Sequence, residues 1–185
     1  MLKKFLALAV ITLSPVLAHS QVATSTTAHM KALWVGGEFS LFNPDYDANV
    51  PLTGIGVYAD YDLRHKISAE GEARFLGVLR NEDGNETQKD YLIGPRYTPL
   101  HWRGFSPYAK LMVGGVSIRY PYNVHTESYF AYAPGGGIDY RIMDRLSVRA
   151  DYEYQFLPGA PNIPNRPNHG LNPRGFSFGV AYRVW

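Results

Sequence analysis

The stretch Arg174-Gly175-Phe176-Ser177-Phe178-Gly179-Val180-Ala181-Tyr182-Arg183-Val184-Trp185 alternates without a break. Phe176, Phe178, Val180, Tyr182 and Val184 fall on one face, and Ser177, Gly179, Ala181 and Arg183 on the other. A period of two specifies a strand. One face is wholly apolar; the other is small or charged. A strand that closes a chain exposes an unpaired edge, which invites aggregation unless the sheet closes on itself. The stretch therefore predicts the closing strand of a β-barrel whose apolar face meets hydrocarbon.

The first residues agree with a membrane destination outside the cytoplasm. Lys3 and Lys4 precede an apolar run from Phe5 to Leu17, and Ala18-His19-Ser20 offers a small-x-small cleavage site before Gln21. This pattern predicts a secretory leader over 1–20. The run is shorter than the ~20 residues of a spanning helix, and nothing after it is long and apolar enough for one. The chain has no cysteine, which excludes disulfides, thiolate chemistry and a lipid anchor on cysteine. It has 18 Lys and Arg against 16 Asp and Glu; losing Lys3 and Lys4 with the leader balances them. No basic patch interleaved with aromatics remains, which argues against nucleic acid as a partner.

Residues 21–30 are polar and rich in Ser, Thr and Ala, a loose periplasmic lead-in. Residues 31–185 then read as one all-β domain of eight strands. The strands are expected at 31–42, 53–63, 66–79, 89–98, 105–120, 128–141, 145–157 and 174–185. Alternation is clearest in the seventh, where Leu146, Val148, Ala150, Tyr152, Tyr154 and Phe156 oppose Ser147, Arg149, Asp151, Glu153 and Gln155. The sixth passes through Gly135-Gly136-Gly137, which permits a bend or a close approach. Connections read as long after strands one, three, five and seven and short after two, four and six. That is the plan of an antiparallel up-and-down transmembrane barrel, with long loops outside and short turns in the periplasm. Trp34, Trp102 and Trp185 all fall at the short-turn rim, where indole rings favour the interface. Parity turns Trp34 inward.

Eight strands enclose a space that side chains alone can fill. Parity aims Glu38, Asp60, Glu70, Glu72, Arg74, Arg96, Lys110, Asp139, Arg149, Asp151, Glu153 and Arg183 into it. Buried charges must be paired. A paired ionic plug is therefore expected, with a narrow ion path as the alternative use of the same residues.

Three segments carry a resemblance: Gly137-Ile138-Asp139-Tyr140-Arg141, the run from Leu146 to Tyr154, and Phe178-Gly179-Val180-Ala181-Tyr182-Arg183-Val184-Trp185. With them the chain resembles the small eight-stranded outer-membrane barrels, the OmpA-like, OmpX-like and opacity-type surface proteins of the porin family. The resemblance covers the whole segment after the leader. It implies a monomer integral to the bacterial outer membrane, in contact with outer-membrane lipid. It also implies that Phe178, Gly179, Val180, Tyr182, Val184 and Trp185 form the assembly signal read by the outer-membrane insertion machinery. In that family the last outward position is usually aromatic. Here Val184 holds that parity and Trp185 comes one later, which leaves the register of strand eight open. No second, peptidoglycan-binding domain is expected.

Chemistry is harder to find. His125 with Glu127 and Ser128 is the one grouping that could serve a lipid A-modifying enzyme, and no further motif supports a triad. His65, His101 and His169 stand apart, without metal-ligand spacing. Asp83-Gly84-Asn85-Glu86 reads as a turn, and Gly135-Gly136-Gly137 precedes no helix that could cradle phosphate. The expected catalytic, cofactor and metal sites are therefore none. The Pro- and Asn-rich loop 159–170 is the candidate for contact with an external ligand. The chain reads as a non-enzymatic surface barrel, structural or adhesive through its loops, with a narrow low-conductance channel as the alternative.

Overall fold

The computed structural model describes residues 31–45, 51–64, 66–80, 86–119, 126–160 and 170–185. The leader and lead-in (1–30), His65, residues 81–85, His125 and most of loop 159–170 lie outside them. Eight strands form one closed barrel in which each pairs with the next: β1 (Leu33–Asn43), β2 (Leu52–Arg64), β3 (Ile67–Arg80), β4 (Thr87–Tyr97), β5 (Phe105–Arg119), β6 (Thr126–Met143), β7 (Leu146–Tyr154) and β8 (Arg174–Arg183). All pairings are antiparallel. β8 closes on β1 over a continuous register, from Trp34 opposite Arg183 to Asn43 opposite Arg174. The free edge expected of a terminal strand is thereby removed.

The wall is apolar outward. Val57, Ile93, Phe130 and Phe176 are each more than half exposed, while Arg74, Glu70 and Asp90 are buried. A soluble barrel has the reverse arrangement. Aromatic pairs brace the outer surface, including Phe75 with Tyr91 and Tyr152 with Phe176 across neighbouring strands.

The ends of the barrel differ. Two connections at one end, 65–66 and 144–145, are minimal. The third, between β4 and β5, runs from 98 to 104, close to the 99–104 expected and longer than the other two. It folds as a small hairpin in which Trp102 and Phe105 exchange backbone hydrogen bonds of 2.9 Å in each direction. Arg103 (φ 49°) and Gly104 (φ 89°) both take left-handed backbone, as a two-residue hairpin turn with the barrel's twist requires. At the opposite end β7 stops at Tyr154, short of the 157 expected, but its line continues as single bridges. Phe156 pairs with Tyr132, and Leu157 with Leu171. β3 bulges near that end, where Gly77 has φ 83°. A side chain there would sit 2.2 Å from the Glu86 carbonyl oxygen, so only glycine fits.

Candidate functional site: the lumen network

Four bases stand inside the barrel, each serving several carboxylates. Arg74 on β3 meets Glu38 on β1 at 3.2 Å, Asp90 on β4 at 3.4 Å and Glu153 on β7 at 3.2 Å, and also pairs with Glu72. Lys110 on β5 meets Glu70 at 3.0 Å, Glu72 at 3.1 Å, Asp151 at 3.2 Å and Glu153 at 3.3 Å. Arg149 on β7 reaches Asp60 on β2, Glu70 on β3 at 3.2 Å and Asp139 on β6 at 3.3 Å. Arg96 on β4 pairs with Asp60 at 2.9 Å, with Glu70 at 3.5 Å and with Asp139. Carboxylates outnumber bases, so each base becomes a hub. Eleven of the twelve residues aimed inward by parity meet in this network.

Arg183 is the exception. It lies half-buried at the short-turn rim, two residues past the buried Ala181, and its Nε donates to the main-chain carboxylate of Trp185 at 3.2 Å. The register settles the parity of β8. Phe176, Phe178, Val180 and Tyr182 face outward and Gly175, Ser177, Gly179 and Ala181 inward, while Val184 donates to the Leu33 carbonyl oxygen at 2.8 Å. Val184 thus keeps the outward parity; the Leu33 N–H donates to the Trp185 main-chain oxygen at 3.3 Å, and the Trp185 side chain is highly exposed.

Rings fill what the charges leave. Arg149 stacks 3.8 Å from the Tyr58 ring centre, Arg96 3.6 Å from that of Tyr108 and Arg74 4.3 Å from that of Phe42. Tyr108 also donates to Asp151. Space for these groups comes from glycine. A side chain at Gly36 or Gly179 would strike Tyr58, at Gly175 Phe42, at Gly137 the Tyr108 hydroxyl and at Gly135 Lys110. The Gly135-Gly136-Gly137 run therefore serves close approach. Gly135 and Gly137 are the inward members, opposite Lys110 and Tyr108 on β5.

Sequence reasoning missed part of the network. Asp90 has the parity of Arg96 on β4, and so could have been found. Gln88 and Gln155 bind Asp90 and each other through their amides, at 2.9–3.1 Å. Gln88 was hidden because the charged stretch before it reads as loop.

Above the network, toward the long loops, the lumen turns apolar. Leu92, Met112, Val116, Ile118, Ala131 and Ala133 pack with Leu157, Ala160 and Leu171 from the β7–β8 connection. Phe42, Leu52 and Leu76 fill the other side. Alternating polarity does not announce this layer, since Leu157 and Leu171 flank a loop. Below the network a polar vestibule of about 90 Å3 opens between Trp34, Asp62, His101 and Arg141.

The other candidates separate. Ser128 sits on the outer face, its hydroxyl 2.8 Å from that of Ser117, whereas Glu127 turns inward and bonds Tyr129. The two point to opposite sides of the wall, so they do not form a nucleophile–base pair. No group of metal-ligating side chains occurs among the described residues.

Residues 5–183 match the family model described as outer membrane protein beta-barrel domain. No curated protein sequence matches the chain. Among solved structures, Neisserial surface protein A superposes with a TM-score of 0.59 at 10% identity, covering 82% of this chain and 96% of that one. OprG from Pseudomonas aeruginosa gives 0.59 at 15% identity, covering 83% and 96%. Ail, the attachment invasion locus protein of Yersinia pestis, gives 0.51 at 18% identity, covering 83% and 97%. At these identities the likeness is one of fold. The chain belongs to the outer membrane protein beta-barrel family and is an integral protein of the bacterial outer membrane.

Proposed function

We propose that this protein is a closed, non-enzymatic monomeric surface barrel whose long loops make its external contacts. The observation that carries the reading is the pair of bridges across the lumen. Arg74 to Glu153 and Arg149 to Glu70 each join β3 to β7, which stand opposite one another in an eight-strand ring. Charges that meet across a diameter support a filled lumen, and the apolar layer above them supports the same reading. The work of such a barrel lies outside the wall, in the β7–β8 loop and its neighbours. An attachment protein, Ail, shares the fold, which is compatible with adhesion through those loops.

The test replaces 161–169 with a Gly/Ser segment of equal length and compares adherence of intact cells to host-type and abiotic surfaces. The barrel's heat-dependent gel mobility serves as the folding control. Reduced adherence with unchanged mobility supports a contact role; unchanged adherence removes that loop from it. An altered lipid A mass spectrum on deletion of the gene would instead favour an enzyme.

A further inference from the structure

The short-turn rim carries a cluster of bases. Lys31, Arg64, Lys66, Arg103, Arg141 and Arg145 are exposed there, against the exposed Asp144 and the half-buried Asp62. Among the described residues none of these six bases has a carboxylate side chain within 4.0 Å. The same rim carries the exposed side chains of Trp102, Met143, Tyr182, Val184 and Trp185. Cations bordering an apolar band match the boundary between anionic headgroups and acyl chains.

One part of this rim is shaped as a site. A cleft of about 490 Å3 lies among Lys31, Asp144, Arg145, Arg183 and Trp185, walled mainly by carbon. Arg145 is held against the wall by its Nη1 donating to the Tyr182 hydroxyl at 3.4 Å. Arg183 is oriented by the main-chain carboxylate of Trp185, to which its Nε donates. Asp144 and the main-chain carboxylate of Trp185 oppose two of the three positive charges and leave one in excess. On the same strands, further up the wall, a second groove of about 410 Å3 runs over Val148, Ala150 and Val180, flanked by Tyr140, Ile138 and Phe178. The register joins the two. Leu146 pairs with Tyr182, Val148 with Val180 and Ala150 with Phe178, so one outward stripe leads from the cationic cleft into the groove. Small Val148 and Ala150 between large rings create the channel.

We infer that this seam of β6, β7 and β8 binds one anionic glycerophospholipid of the leaflet facing the periplasm. Its phosphodiester would lie among Lys31, Arg145 and Arg183, and one acyl chain in the groove over Ala150. Neutral phospholipids fit the groove equally but do not offset the charge.

Native mass spectrometry tests this on protein extracted from outer membranes into neutral detergent and titrated with phosphatidylglycerol or phosphatidylcholine. The expected result is one retained phosphatidylglycerol, with roughly tenfold preference over phosphatidylcholine. K31Q/R145Q removes the preference, whereas R64Q/K66Q, on the opposite side of the rim, leaves it. Ala150→Phe fills the groove without changing charge and lowers retention of both lipids. Equal retention by the unmodified protein, or a preference untouched by K31Q/R145Q, overturns the site. Displacement of the lipid by inorganic phosphate alone would make free phosphate the ligand and overturn the lipid assignment. Should K31Q/R145Q fail to assemble, rising salt on the unmodified protein decides: the preference must fade as screening increases, and its persistence contradicts the site.

Discussion

Arg74 Nη1 lies 3.2 Å from Glu153 Oε1, and the two side chains meet from opposite walls of the barrel. Neither side chain reaches solvent. In a membrane wall each would be costly alone, so each makes the other tolerable. The same guanidinium holds Glu38, Glu72 and Asp90, four carboxylates in all, as many as Lys110 holds.

Removal of that crossing should be severe. Arg74→Gln leaves Glu38, Asp90 and Glu153 without their shared cation and should cost about 3–5 kcal/mol. Urea unfolding of the refolded barrel in vesicles measures this. Arg183→Gln, which loses only an exposed contact to the main-chain carboxylate of Trp185, should change stability by less than about 1 kcal/mol.

Acids and bases should respond unequally. Carboxylates outnumber bases in the network, so Glu72→Gln relieves repulsion from Glu38 and Glu153 as it weakens pairing to Arg74 and Lys110. The expected change is within about 1 kcal/mol, far below that of Arg74→Gln. A loss as large as that of the arginine variant would show that the charges are not shared as described.

Glycines differ by what they face. At Gly137 a methyl group would lie 2.3 Å from the Ala150 carbonyl oxygen and 2.7 Å from the Tyr108 hydroxyl, whereas at Gly71 nothing lies within 4 Å. Gly137→Ala should destabilise by about 1–3 kcal/mol and Gly71→Ala should not destabilise. Heat-dependent gel mobility, read as the temperature at which the compact band disappears, orders the two.

The lipid face can be probed where it is barest. Ile93, 63% exposed on β4, should accept Leu freely. Ile93→Arg should cost about 2–4 kcal/mol in a bilayer if it lies near the midplane. Vesicle refolding yields measured side by side for the two variants check this. An arginine tolerated as well as leucine would place that face away from hydrocarbon.

Much of this was legible because a period of two is hard to disguise. The faces of β7 and β8 and the inward set from Glu38 to Glu153 follow from alternation alone. What stayed hidden has physical causes. Gln88 lies beyond the point where polar sequence ceases to alternate visibly. Leu157 and Leu171 pair as an isolated bridge, held by packing rather than by a ladder. The role of Gly135 and Gly137 depends on which β5 residues stand opposite them, and that is a matter of register. Arg183 has the inward parity but sits at the rim, because parity fixes a side and not a depth.

The central claim is that the lumen is full. Single-channel recording of the purified barrel in planar bilayers, in concentrated potassium chloride, addresses it most directly. The account predicts a baseline indistinguishable from leak for the unmodified protein. Discrete, reproducible current steps from that same protein would contradict it.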